Sequence, residues 1–177
     1  MKAIKILFLN CVIYLYATSP SPVMSAELGF GYGKEFRNNI NIEQYEVYDR
    51  IPLPFKWEFD YDFKILSAVE IGMAMIREAQ STNDAAARIS VMPEVILSPY
   101  RHVNFIFGLG TGFMLGNTDF TNHYLGGAML FNSKIGFQFM LGQHWNLGYF
   151  YFHQSNAGIY DCNAGLNMHQ LALSYTF

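Results

Sequence analysis

Residues 145–177 read WNLGYFYFHQSNAGIYDCNAGLNMHQLALSYTF. Two alternating segments flank a short polar turn, which predicts a hairpin of two strands over 144–157 and 165–177. Side-chain direction repeats every second residue along a strand. Trp145, Leu147, Tyr149, Tyr151, His153 and Ser155 therefore share one face of the first strand. Asn167, His169, Leu171, Leu173, Tyr175 and Phe177 share one face of the second. The opposite faces carry His144, Asn146, Gly148 and Gln154, then Gln170, Ala172, Ser174 and Thr176. One face is aromatic and aliphatic, the other small and polar, and His153, Ser155 and Asn167 fall on the greasy one.

The same split governs the rest of the chain. Of the 177 residues only 14% are charged while 17% are aromatic, a balance expected where one surface meets lipid. Lys2 and Lys5, an apolar run over 6–17 and a Pro/Ser stretch ending Val23-Met24-Ser25-Ala26 read as a secretory signal peptide over 1–26, leaving 27–177 as the mature domain. Losing those two lysines from eleven basic residues, against fourteen acidic ones, gives a mature net charge of −5. No basic patch is present to hold nucleic acid. Cys162 is the one cysteine after the signal, so neither an intrachain disulfide nor a cysteine metal cluster is expected.

No run of about eighteen apolar residues follows residue 26, which excludes a spanning helix and leaves a closed barrel as the way to satisfy strand backbones in lipid. Strands are expected at 28–34, 41–51, 55–78, 86–98, 102–115, 127–141 and the final two. Pro52 and Pro54 should end the second, since proline donates nothing to a ladder, and the third reads as bulged or split near Lys64. The count is eight, with tight turns alternating with longer polar loops. The fold expected is thus all-β, an eight-stranded antiparallel transmembrane β-barrel behind a signal peptide. Glu70, Glu94, Lys134 and Gln138 fall on the inner parity and predict a polar plug rather than an open pore. The terminal Phe177 after Leu171, Leu173 and Tyr175 resembles the sorting signal of outer-membrane barrels.

His153 and Ser155 are two apart, which sets their side chains on one face about 7 Å apart at the backbone. Serine is a weak nucleophile until a base takes its proton, and histidine titrates in the right range. The base in turn needs an acceptor to fix its tautomer, and Asn167 on the neighbouring strand has the matching parity. Spacing alone favours a polar girdle of His153, Ser155 and Asn156 where the barrel leaves the bilayer, beside Tyr149 and Tyr151, because polar residues near the interface are nearly free of cost.

The run His153-Gln154-Ser155-Asn156-Ala157-Gly158, followed by Asn163, Gly165 and a closing strand, resembles the signature of the lipid A 3-O-deacylase family. Phe131-Asn132-Ser133-Lys134-Ile135-Gly136 is similar to that family's sixth strand. The resemblance implies an outer-membrane hydrolase that removes the ester-linked 3-hydroxyacyl chain from position 3 of lipid A. It implies His153 as general base and Ser155 as nucleophile. Oxyanion and substrate contacts would fall to Asn156, Asn163, the backbone near Ala157 and Gly158, and Phe131 lining an acyl groove. The family pattern has glutamate where this chain has Asn167, so either a slower enzyme or help from a carboxylate such as Asp161 is expected. The implied partners are lipopolysaccharide and outer-membrane lipid, and the family permits a homodimer. No cofactor or metal is called for, since His102, His123, His144 and His169 are scattered singly. The rival readings are a non-catalytic structural or adhesion barrel and a phospholipase or esterase on the same scaffold.

Overall fold

The computed structural model describes residues 25–36, 41–79, 85–120 and 123–177. Most of the expected signal segment, the turn at 37–39 and most of the loop at 79–84 lie outside the described residues. Eight strands form one closed antiparallel barrel: β1 (Glu27–Glu35), β2 (Ile42–Glu58), β3 (Lys64–Glu78), β4 (Ala85–Tyr100), β5 (Val103–Gly116), β8 (Met129–Leu141), β9 (Trp145–Ser155) and β10 (Leu166–Thr176). A small hairpin, β6 (Asp119–Phe120) with β7 (His123–Tyr124), stands within the loop after β5. The barrel closes where β1 pairs with β10.

The register fixes the tilt. Starting at Trp145 and stepping from each residue to its partner on the next strand, the path runs Tyr175, Leu28, Asp49, Ile71, Val91, Thr111 and Phe131, then returns to β9 at Ser155, ten residues beyond its start. Eight strands with that stagger tilt by about 40°. Ten steps of roughly 3.3 Å along such a strand climb about 25 Å, the height of the apolar band of an outer-membrane barrel. Trp145 and Ser155, the two ends of β9, thus stand about 25 Å apart along the barrel axis. The connections at the Ser155 end are the longer ones, which identifies it as the outer side.

Polarity follows the pleat. On β5 the outward Phe105, Phe107, Leu109, Phe113 and Leu115 are all exposed. An apolar belt of this extent exceeds what a water-facing monomer displays and is a surface for lipid. The inward parity holds a charged network. Arg50 binds Glu27, Glu70 and Glu94 at 2.6, 3.1 and 2.5 Å, while Lys134 reaches Glu70 and, at 3.4 Å, Glu94. Arg88 pairs with Glu46 and donates to Gln44 and Gln154 at 2.9 and 2.7 Å. Small residues make room for this plug: a Cβ on Gly29 would lie 2.1 Å from the Tyr48 ring.

Two expectations need correction. Pro52 and Pro54 do not end β2, which shifts register between Pro52 and Lys56 and continues to Glu58. The bulge absorbs the missing donors, and β1 stops pairing at Arg50, so no ladder is demanded on that side. The stretch expected as a third strand at 55–78 is split beside Lys64, one of the two forms expected for it, but its first part belongs to β2 and only its remainder to β3, around the turn Asp60–Asp62. The inner plug also holds Arg50, Arg88, Glu27 and Glu46, beyond the four inner residues expected.

Candidate active site

The site is built where β9 ends. His153 and Ser155 occupy the last two outward positions of that strand, both half-buried. Direct cross-strand partners sit about 5 Å apart at Cβ, and these partners are Ser133 and Asn167 for His153, and Phe131 for Ser155. His153 Nδ1 lies 2.8 Å from Asn167 Oδ1, which also accepts the Tyr151 hydroxyl at 2.7 Å. An amide oxygen only accepts, so Nδ1 carries the ring proton and Nε2 keeps its lone pair. That tautomer is the one a general base requires.

Asn167 is outward by register yet only 3% exposed. The two donors cover its amide, and the end of β1 grips its backbone: its N–H donates to the Glu35 carboxylate, and Phe36 N–H donates to its carbonyl at 3.3 Å. Beside it Phe36 packs on His169 with ring centres 4.0 Å apart, and the Tyr149 hydroxyl meets His169 Nδ1 at 2.7 Å. The result is an aromatic wall on the outer face next to the polar group.

Gly165 sets the approach of histidine to serine. Its φ of +64° suits a residue without a side chain. A Cβ there would stand 3.4 Å from His153 Cε1 and 3.6 Å from Ser155 Cβ, so both residues converge on the same spot. The Gly165 carbonyl accepts from His123 Nε2 at 2.6 Å, which ties the loop after β5 to the site. Ser155 Oγ has no hydrogen-bond partner among the described residues; serine-to-base contacts commonly tighten only when substrate binds.

The loop after β9 is organised by Asn156, which is fully buried. Its Nδ2 donates to the carbonyls of Leu125 and Cys162, its N–H to Asn163 Oδ1 at 3.0 Å, and its Oδ1 accepts Gly158 N–H at 2.8 Å. Asn156 and the Gly158 N–H are therefore committed to holding the loop. Ala157 N–H and Asn163 Nδ2 remain without partners among the described residues. Asp161 is exposed in the same loop and forms no hydrogen bond or ion pair with the His153–Asn167 pair. Sequence reasoning missed Glu35, Ser133, His123 and the shared role of Tyr151. Parity counting across the β8–β9 hairpin could have found Ser133; nothing in the sequence points to Glu35, 132 positions before Asn167.

Known proteins share the barrel and part of the sequence. Lipid A deacylase PagL of Bordetella bronchiseptica is 38% identical over 64 residues, so the alignment spans 36% of this chain and 36% of that protein. The crystal structure of the outer membrane enzyme PagL superposes with a TM-score of 0.70 at 16% identity, covering 84% of this chain and 97% of that one. A de novo designed transmembrane β-barrel superposes at 0.55 with 9% identity, over 90% and 100% of the two chains, which speaks for the barrel alone. The family model for lipid A 3-O-deacylase (PagL) matches residues 43–176, from the second strand to the end of the last. The chain belongs to the lipid A 3-O-deacylase (PagL) family.

Proposed function

We propose that this protein is an outer-membrane hydrolase, with 27–177 as its mature barrel, that cleaves the ester-linked 3-hydroxyacyl chain at position 3 of lipid A by a serine mechanism on the barrel's outer face. The observation that carries the reading is the His153 Nδ1 to Asn167 Oδ1 contact, made outside the barrel wall beside Ser155. Ser155 stands about 25 Å above Trp145 along the barrel axis, at the outer headgroup boundary. In a glycolipid the sugar-linked esters lie at that depth, so the substrate would reach the serine by lateral diffusion, without extraction from the bilayer.

In this mechanism Ser155 Oγ attacks the ester carbonyl while its proton passes to His153 Nε2. The tetrahedral oxyanion meets Ala157 N–H and Asn163 Nδ2, donors of a kind worth about 10²–10³ in rate each. His153 returns the proton to the departing 3-hydroxyl of the glucosamine, leaving an acyl-Ser155 ester. Water, deprotonated by the same imidazole, then releases the 3-hydroxy fatty acid. Phe131, 39% exposed and directly opposite Ser155, offers the acyl chain an apolar flank.

The test is mass spectrometry of lipid A from Gram-negative cells expressing the chain or its Ser155→Ala form. The expected result is loss of one 3-hydroxyacyl mass with the native chain and none with the variant. Unchanged lipid A in both, with folded barrel in the outer membrane, would overturn the reading. Release of fatty acid from glycerophospholipid vesicles but not from lipid A would replace it with a phospholipase.

A further inference from the structure

Ser133 faces outward on β8 and is half-buried, and its hydroxyl has no hydrogen-bond partner among the described residues. Its place relative to Ser155 follows from the register. From Ser155 the ladder crosses to Phe131 on β8, and Ser133 lies two residues further toward the Leu141 end of that strand. With strands about 4.8 Å apart and tilted by about 40°, the crossing descends about 3 Å and the two residues about 5 Å, while their sideways displacements nearly cancel. Ser133 therefore sits almost directly below Ser155, about 8 Å deeper toward the bilayer centre. Larger side chains border the line between them, Phe131 and Leu109 on one side and His153 and Ile135 on the other. Phe131, Leu109 and Ile135 all stand exposed on the lipid face. The outer surface below Ser155 is thus a furrow with apolar walls and a single hydroxyl on its floor.

A hydroxyl that faces hydrocarbon gains nothing from an alkyl chain, and it is satisfied only where the lipid brings a polar group of its own. The acyl chain released in the proposed reaction carries such a group, a hydroxyl two carbons beyond the scissile carbonyl. With the carbonyl at Ser155 and the chain descending the furrow, that 3-hydroxyl falls between the two serines. Diagonal neighbours on a sheet are about 7–8 Å apart, a gap that one bridging hydroxyl fills. Two hydroxyls suit each other, since each both donates and accepts. Resting on the function proposed above, we infer that Ser133 is a specificity-determining residue: its hydroxyl hydrogen-bonds the 3-hydroxyl of the acyl chain and so selects 3-hydroxyacyl esters over plain acyl esters. It makes and breaks no covalent bond; that work falls to Ser155.

The experiment uses two synthetic acylated glucosamine phosphates that differ only in whether the ester-linked chain carries the 3-hydroxyl. Values of kcat/KM for both are measured in detergent micelles on one preparation of each variant, so their ratio does not depend on how much barrel is folded. The native chain should favour the hydroxylated ester roughly fivefold to tenfold, the net worth of one neutral hydrogen bond. Ser133→Ala should bring the two esters within about twofold of each other, by losing rate on the hydroxylated one. Ser133→Thr, which keeps a hydroxyl at the same place, should retain the preference. A native chain indifferent to the hydroxyl overturns the inference, as does a Thr variant as indifferent as the Ala one. So does an equal loss on both esters in Ser133→Ala, which marks a purely structural role. Those outcomes leave the deacylase reading standing, because the native chain then still cleaves an ester that Ser155→Ala does not; a native chain that cleaves neither ester removes both.

Discussion

His153 Nδ1 and Asn167 Oδ1 meet at 2.8 Å across the β9–β10 ladder, on the outside of a closed barrel. The pair is a direct cross-strand one, so no loop has to fold to create it. The same oxygen accepts from Tyr151, which leaves the amide no freedom to turn away. Asn167→Ala should therefore release the imidazole and lower kcat by up to about 10⁴, the loss that follows when the orienting aspartate of a serine triad is disabled. Initial rates of fatty-acid release from lipid A, with KM measured alongside, check this.

Two serines flank His153. Ser155 follows it on the same face, and Ser133 is its register partner on β8. Ser155→Ala should reduce turnover by about 10³ or more, whereas Ser133→Ala should lose no more than about tenfold. A fluorophosphonate probe that labels the native chain and Ser133→Ala but not Ser155→Ala would fix the nucleophile; the reverse pattern would assign it to Ser133.

Gly165→Ala places a methyl group against His153 Cε1 and Ser155 Cβ at a backbone angle that disfavours any side chain. The expected strain is about 1 kcal/mol in stability. The larger effect should be on kcat, because the approach of serine to base is what the methyl obstructs. Thermal unfolding and kinetics measured on one preparation separate the two.

Lys134→Met should destabilise the barrel without touching the outer face. It leaves Glu70 and Glu94 without one of their buried cations, and breaking such a pair from one side costs about 3–5 kcal/mol. Urea unfolding in micelles, followed by tryptophan fluorescence, should show a lower midpoint. Lys134→Met combined with Glu70→Gln should recover part of the loss, since one uncompensated charge is then removed.

Much of this was legible in the chain itself. Alternation is a property of neighbours in sequence, so the strands, the greasy outer face of β9 and the polarity of the barrel could be read from residues 145–177 alone. The outward direction of His153, Ser155 and Asn167 follows from the same period of two. The bulge that carries β2 past Pro52 was not legible, because a proline is tolerated or not according to whether its neighbour strand asks for its N–H. Nor was the engagement of Asn156, whose motif position suggested a substrate contact while its amide holds the carbonyls of Leu125 and Cys162.

The sequence by itself determined which side chains face lipid and which face the lumen, since that depends only on parity along each strand. Only tertiary structure decided what stands opposite each of them. Closure of β1 on β10 brings Glu35 to Asn167 across 132 positions of chain, and the ten-residue stagger sets how far β9 climbs between Trp145 and Ser155. Both depend on register around the whole ring, a quantity that no single strand contains.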